Sequence, residues 1–280
     1  MKTKTLVLAA LLALSGSAEL RAGASFEVLV CYPGGPVKAK SAAPALEKML
    51  GVVERLGGWP AGSFTHRFTS KASECRQLLA SDQPAFVIST LGIFLEAQQS
   101  NHLVPLANPR IKGRKTERYR IMVKKGGPAS LAALKGKKLS GTLLDEPRFL
   151  ARVIFRGAID PAAHFELAPT HRALRALRDL ARGKLDAVMV NELQYEGIKA
   201  LPFAGQLEPA FESTPFPLQG LSADTSKTQA GDRQKMLKAL GAICTDADGK
   251  EMCELFGIDA FAPADEKEYK SVQELWNTGP

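Results

Sequence analysis

From Phe26 onward, short apolar runs alternate with stretches whose apolar residues recur every three or four positions. "FEVLVCY" reads as a buried strand. "APALEKMLGVVERL" places Leu46, Leu50 and Val53 on one helical stripe. "SFTHRFT", "ASECRQLLA", "PAFVIST" and "FLEAQQ" continue the series as strand, helix, strand, helix. After "LVPLA" a polar, basic stretch, "NPRIKGRKTE", reads as a connector, and the strand "RYRIMVKK" follows it. A second series then predicts helix "SLAALKG", strand "KKLSGTL", helix "PRFLARVIFRG", strand "HFELA", helix "HRALRALRDLARG", strand "DAVMV" and helix "ELQYEGIKAL". "FESTPFPLQGLSA" reads as a returning strand, and "DRQKMLKALGAI", "KEMCELFG" and "EKEYKSVQELW" as C-terminal helices packing back on the first half.

Short apolar strands between amphipathic helices imply parallel-rich sheets covered on both faces. The pattern is built twice, so the expected architecture is α/β with two lobes: residues 25–115 with 213–280, and residues 116–212. Ligands of open α/β sheets sit beyond the carboxyl ends of the strands. The loops after Cys31, Ser89, Leu144, Ala168 and Val190 should therefore rim one interlobe cleft, with Tyr32 and its Pro-Gly-Gly-Pro turn as a wall.

The N-terminus changes the picture first. "MKTKT" followed by "LVLAALLALSGSA" has the basic start, short apolar run and small residues of a secretory signal, with a cut expected after Ala18 or Ala24. No later stretch approaches a membrane span, so an exported, soluble, monomeric periplasmic protein is expected. In that oxidising compartment the four cysteines suggest disulfides. Cys244 and Cys253 flank a turn-like insert and are expected to pair, whereas Cys31 and Cys75 form either a second bridge or separate buried thiols.

The formal charge of +8, from 37 Lys+Arg against 29 Asp+Glu, is scattered over helices and accompanies no nucleic-acid motif. Gly35 is followed by Pro36 and Val37, which excludes a nucleotide-hydrolase loop, and the flanking prolines lack the N–H groups of a dinucleotide turn. No G-x-S-x-G elbow, zinc spacing or calcium loop occurs. The sequence thus points to no enzyme, cofactor or metal.

Several segments together, "YPGGP" after the first strand, "AFVISTLGIFLEA", "ALKGKKLS" and "LARGKLDAVMV", resemble the phosphate/phosphonate-type periplasmic binding proteins of ABC importers. The resemblance implies the type II periplasmic binding fold and a ligand-carrying role with a membrane partner. Phosphonate binders of this family place Ser-Thr-Ser-Gly at a second-lobe helix N-terminus. Here that place reads "GTLLDEPRF", where Asp145 and Glu146 would repel a phosphonate and Pro147 removes an N–H.

Alternation on "TERYRIMV" puts Glu117, Tyr119 and Ile121 on one face. With Asn191 after "DAVMV", Glu117 and Tyr119 suit an uncharged hydroxyl, as acceptor and dual donor/acceptor groups. This set looks like the sterol-binding periplasmic branch of the same family, which implies a polar cluster for a sterol hydroxyl and an apolar cavity. Leu91, Phe94, Leu144, Phe149 and Phe216 are its candidate walls, each equally readable as core. Ser89 and Thr90 are a helix cap or a hydrogen-bonding wall, and His171 faces the cleft or follows a capping Thr170.

The leading expectation is a carrier closing on a mostly apolar, hydroxyl-bearing ligand, a sterol or other lipid, for passage to a membrane transporter or lipid-transfer partner. The first alternative is a phosphate, phosphite or phosphonate importer component with Tyr32, Ser89, Thr90, Arg148 and His171 as donors. The second is a ligand sensor for a membrane receptor.

Overall fold

Apolar periodicity and local capping set the elements of the first sheet. The computed structural model describes residues 25–33 and 39–278. Residues 1–24, where the signal segment is expected, residues 34–38, which hold most of the Pro-Gly-Gly-Pro turn, and the last two residues lie outside the described ones. Strand β1 (Phe26–Cys31) leads through helix α1 (Ala39–Gly57), strand β2 (Phe64–Thr69) and helix α2 (Ala72–Asp82) to strand β3 (Phe86–Ile88). Leu46, Leu50 and Val53 of α1 are buried as their spacing requires. Helix α3 (Leu91–Ala97) starts where Thr90 accepts the Ile93 N–H, and strand β4 (Leu103–Arg110) follows. The "NPR" read as connector is the end of β4.

The chain crosses at β5 (Thr116–Glu117) and enters β6 (Tyr119–Lys124), β7 (Lys138–Gly141), helix α4 (Pro147–Phe149), helix α5 (Pro161–His164), β8 (Glu166–Pro169), α6 (Ala173–Ala181), β9 (Ala187–Asn191), α7 (Glu192–Ile198) and β10 (Leu207–Glu212). Two expected helices differ. "SLAALKG" is one 3-10 turn, Ala132–Leu134, and "PRFLARVIFRG" leaves α4 for a π-helical turn, Leu150–Ile154. This turn follows Phe149 directly, and Leu150, Val153 and Ile154 are buried in the core.

The return crossing is β11 (Phe216–Pro217), paired antiparallel with β5. Strand β12 (Leu221–Asp224), helices α8 (Ala230–Ile243) and α9 (Ala247–Phe256), strand β13 (Ala260–Pro263) and helix α10 (Glu266–Thr278) complete the chain.

Six strands order as β13-β4-β12-β3-β1-β2 and five as β10-β6-β9-β7-β8, and the β5/β11 ribbon runs between the two sheets. β1, β2 and β3 are parallel, as are β7, β8 and β9, whereas β12, β13, β6 and β10 enter antiparallel. The expected two-lobed α/β architecture with parallel-rich sheets is what forms. Both candidate disulfides exist: Cys31–Cys75 and Cys244–Cys253. Among the described residues no helix is long and apolar enough to cross a membrane.

The C-terminal helix does more than return to the first lobe. Tyr269 donates to Asn108 at 2.8 Å and stands 2.7 Å from the Gln219 carbonyl, beside Phe94, while Arg152 of the π-helical turn bonds the Trp276 carbonyl. Helix α10 therefore braces both lobes on the side where α3 meets α4.

Candidate functional site

The carboxyl ends of β1, β3, β7 and β9 face the crossing ribbon, so residues distant in sequence meet there. β1 delivers Tyr32, β3 delivers Thr90, the loop after β7 delivers Glu146, and β9 ends at Asn191 with Glu192 opening α7. Glu117 stands on β5 opposite Phe216, and Tyr119 opens β6 opposite Asn191. Tyr119 is fixed by its backbone, its N–H donating to Ser213 Oγ at 3.0 Å and its carbonyl accepting the Ser213 N–H. Its ring stacks on Phe216 with centroids 5.5 Å apart, and Phe149 meets Phe216 edge-on.

Three carboxylates dominate the electrostatics. Burial, followed by the negative charges of Glu192 and Glu146, pushes Glu117 up to about 8. Burial also carries the Tyr119 hydroxyl well above its usual range, helped by Glu117, Glu146 and Tyr32. Tyr32 is raised by burial and by Glu117, although half of its surface is exposed. A cleft wall reconciles the two, since solvent reaches the ring while protein surrounds it. Around neutral pH Glu117 is predominantly a neutral acid that can donate a hydrogen bond.

Arg120, which follows Tyr119 on β6, is committed to other partners. Arg120, its side chain 8 % exposed, bonds Glu212 at 2.7 Å and Glu192 at 3.1 Å and lies 4.0 Å over the Tyr195 ring. Asn191 is also occupied: its Oδ1 accepts the Gln194 N–H at 2.9 Å, and Gln194 returns a capping bond. The expected hydroxyl reader is thus a helix cap with only its amide N–H groups available.

The lobes meet at a seam that the sequence did not expose. Thr90 lies within 2.9 and 3.0 Å of the two Glu146 carboxyl oxygens, across the cleft. Glu146 is 3 % exposed, and burial pushes it up to about 7 against the lowering effects of the Thr90 hydrogen bond and the Arg76 charge. A Cβ on Gly92 would lie 2.0 Å from Glu146 Oε2 and 2.8 Å from Phe149 Cβ, so α3 packs backbone-close on the second lobe. A cavity of about 110 Å³ lies along the seam between Arg76, Glu146, Arg148 and Trp276. Gly92→Ala is expected to cost the joined arrangement about 1–3 kcal/mol, because the carboxylate can swing away but Phe149 Cβ is fixed to its backbone. Small-angle scattering should show a larger radius of gyration with unchanged far-UV circular dichroism.

The remaining expected site residues divide. Ser89 is buried and donates to the Thr90 carbonyl. Leu91, Phe94 and Leu144 are core, with Phe94 turned to Tyr269. Phe149 and Phe216 border the cleft, but they and Tyr119 are buried against one another instead of lining a sterol-sized cavity. His171 is exposed, and Arg148 stacks over Trp276 at 4.3 Å. Among the described residues no cluster suits a metal ion.

Residues 40–269 match the sequence profile of the phosphonate periplasmic substrate-binding proteins of ABC transporters. No curated protein matches the chain. Solved structures share the fold at low identity. A Xanthomonas citri protein bound to chloride has a TM-score of 0.68 at 16% identity, covering 89% of this chain and 95% of its own. A binding component of an ABC phosphonate transporter from Pseudomonas aeruginosa gives 0.66 at 15%, covering 90% and 86%. PhnD1 from Prochlorococcus marinus, in complex with methylphosphonate, gives 0.61 at 12%, covering 90% and 97%.

Proposed function

The chain belongs to the phosphonate periplasmic substrate-binding family of ABC transporters, and from that premise we propose that it is an exported importer component whose cleft takes a small ligand presenting a hydroxyl or amine. The family makes it a solute-binding protein and gives the importer role a footing that lipid carriage lacks. The sterol or other lipid of the leading sequence expectation has no support in the comparisons, and the aromatic residues assigned to its cavity fill each other's space.

The observation that carries the ligand class is the acid cluster. Glu192 and Glu146 both act on Glu117, Glu117 and Glu146 act on Tyr119, and Glu117 acts on Tyr32, while Arg120 is held by its carboxylate partners. Such a site favours a donor, neutral or cationic, over a dianion. Of the five donors expected for an anion, Ser89 and Thr90 have protein acceptors, Arg148 stacks on Trp276 and His171 lies exposed, which leaves Tyr32.

A second reading, a phosphonate, is favoured by the family match itself. Calorimetry with methylphosphonate, an aminoalkylphosphonate and an uncharged polyol at pH 6.5 and 9 separates the two. Under our reading methylphosphonate alone binds weakly and weakens further at pH 9, where Glu117 is ionised, while an amine-bearing ligand gains affinity. Tight methylphosphonate binding at pH 9 would establish the second reading. Mass spectrometry of ligand copurifying with the native protein tests the lipid expectation directly.

A further inference from the structure

The Glu146–Thr90 contact spans the two lobes, and it buries a carboxyl group against a seam that must part for a ligand to enter. We propose that Glu146 and Thr90 form a proton-dependent latch that favours the joined arrangement of the lobes. The inference concerns lobe equilibrium and stands whatever ligand the cleft takes.

The geometry carries it in three steps. Glu146 follows β7 in the second lobe, and both its oxygens lie within hydrogen-bond distance of a hydroxyl from the first. Gly92, two residues beyond Thr90, lets α3 approach so closely that no water layer separates it from Glu146 and Phe149. Arg148 over Trp276 and Arg152 on the Trp276 carbonyl then anchor the same second-lobe segment to α10. Parting the lobes at this seam exposes the buried Glu146 carboxyl together with Phe149.

Its surroundings set the sign. Arg76 of α2 lies near but is shared with Glu96 of α3 and with the Asp145 carbonyl. Asp145 and Glu96 add negative charge, Arg148 faces Trp276, and Glu117 and Tyr119 approach from the crossing strands. Joined lobes hold the carboxyl protonated up to about 7, whereas in parted lobes water returns it to the ordinary carboxylate range. Joining therefore takes up a proton. The joined form is fully favoured below the ordinary range and loses that advantage as pH rises through about 7, a shift in equilibrium of order 100-fold.

Small-angle scattering on ligand-free protein from pH 5 to 9 tests the latch. The radius of gyration should rise with pH through a midpoint near 7 in the wild type. Glu146→Gln, neutral at every pH and still able to accept from Thr90, should stay compact throughout. Thr90→Val should be less compact than wild type at pH 5, and Glu117→Gln should keep a pH-dependent transition. A pH-independent wild type, an E146Q variant that still responds, or an E117Q variant that does not, overturns the proposal. Circular dichroism on each variant separates lobe opening from loss of fold.

Discussion

Replacing Cys31 and Cys75 together with serine is expected to lower the unfolding free energy by about 4 kcal/mol, against about 2.6 kcal/mol for the Cys244/Cys253 pair. The difference follows from chain entropy. The first bridge closes a separation of 44 residues, the second one of 9. Location adds to the first effect, because Cys31 ends β1 and Cys75 is wholly buried in α2, so two serine hydroxyls would enter an apolar cluster. Urea unfolding of both double variants, beside wild type reduced with dithiothreitol, checks the ranking. If the 31/75 variant loses less stability than the 244/253 variant, the loop-entropy account fails.

That bridge also bears on the site. Cys31 immediately precedes Tyr32, whose N–H donates to the Thr69 carbonyl at 2.8 Å. The disulfide therefore pins the end of β1 to α2, the helix that also supplies Arg76 to the seam. Cleft wall and seam share one covalent brace.

Much of this arrangement was legible in the order of residues, and the rest was not for identifiable reasons. Helix α1 and the apolar runs of β1 and β9 carry strong local periods, so their burial follows from spacing alone. "AFAP" in β13 and "NPR" at the end of β4 carry no such period and become strands because they pair with each other. "PRFLARVIFRG" has helical spacing throughout, but its middle is a π-helix, and Arg152 in that turn bonds the Trp276 carbonyl of α10.

The site divides along the same line. Glu117 and Tyr119 could be placed at the cleft from strand alternation after a crossing. Asn191 could not be distinguished from a cap, since a strand end and a helix start are the same position in this fold. Glu146 was visible only as a charge hostile to anions. Its partner lies 56 residues away in the other lobe, and no local pattern encodes that distance. Phe149 and Phe216 were read as separate cleft walls, and their contact with each other is a tertiary fact.

Arg120→Ala is expected to destabilise the protein by about 3 kcal/mol, near the lower end for breaking a buried pair, because Glu212 keeps Arg118 and some water. The larger loss is at Glu192, whose side chain is largely covered and whose partner is the Arg120 guanidinium. The Tyr195 ring also loses the cation over its face. Arg120→Met separates the causes: it restores apolar packing but no charge, so it should recover less than half of the loss. Adding Glu192→Gln to R120M should recover most of the remainder, because an amide needs no counter-ion. Wild-type-like stability of R120M would show that packing alone matters. The site registers the same change, since Glu192 raises Glu117 and an uncompensated Glu192 raises it further. The Glu117 midpoint, followed by carboxyl NMR, should move above about 8 in R120M and fall below the wild-type value in R120M/E192Q. Arg120 thereby governs how much negative charge the cleft presents to its ligand.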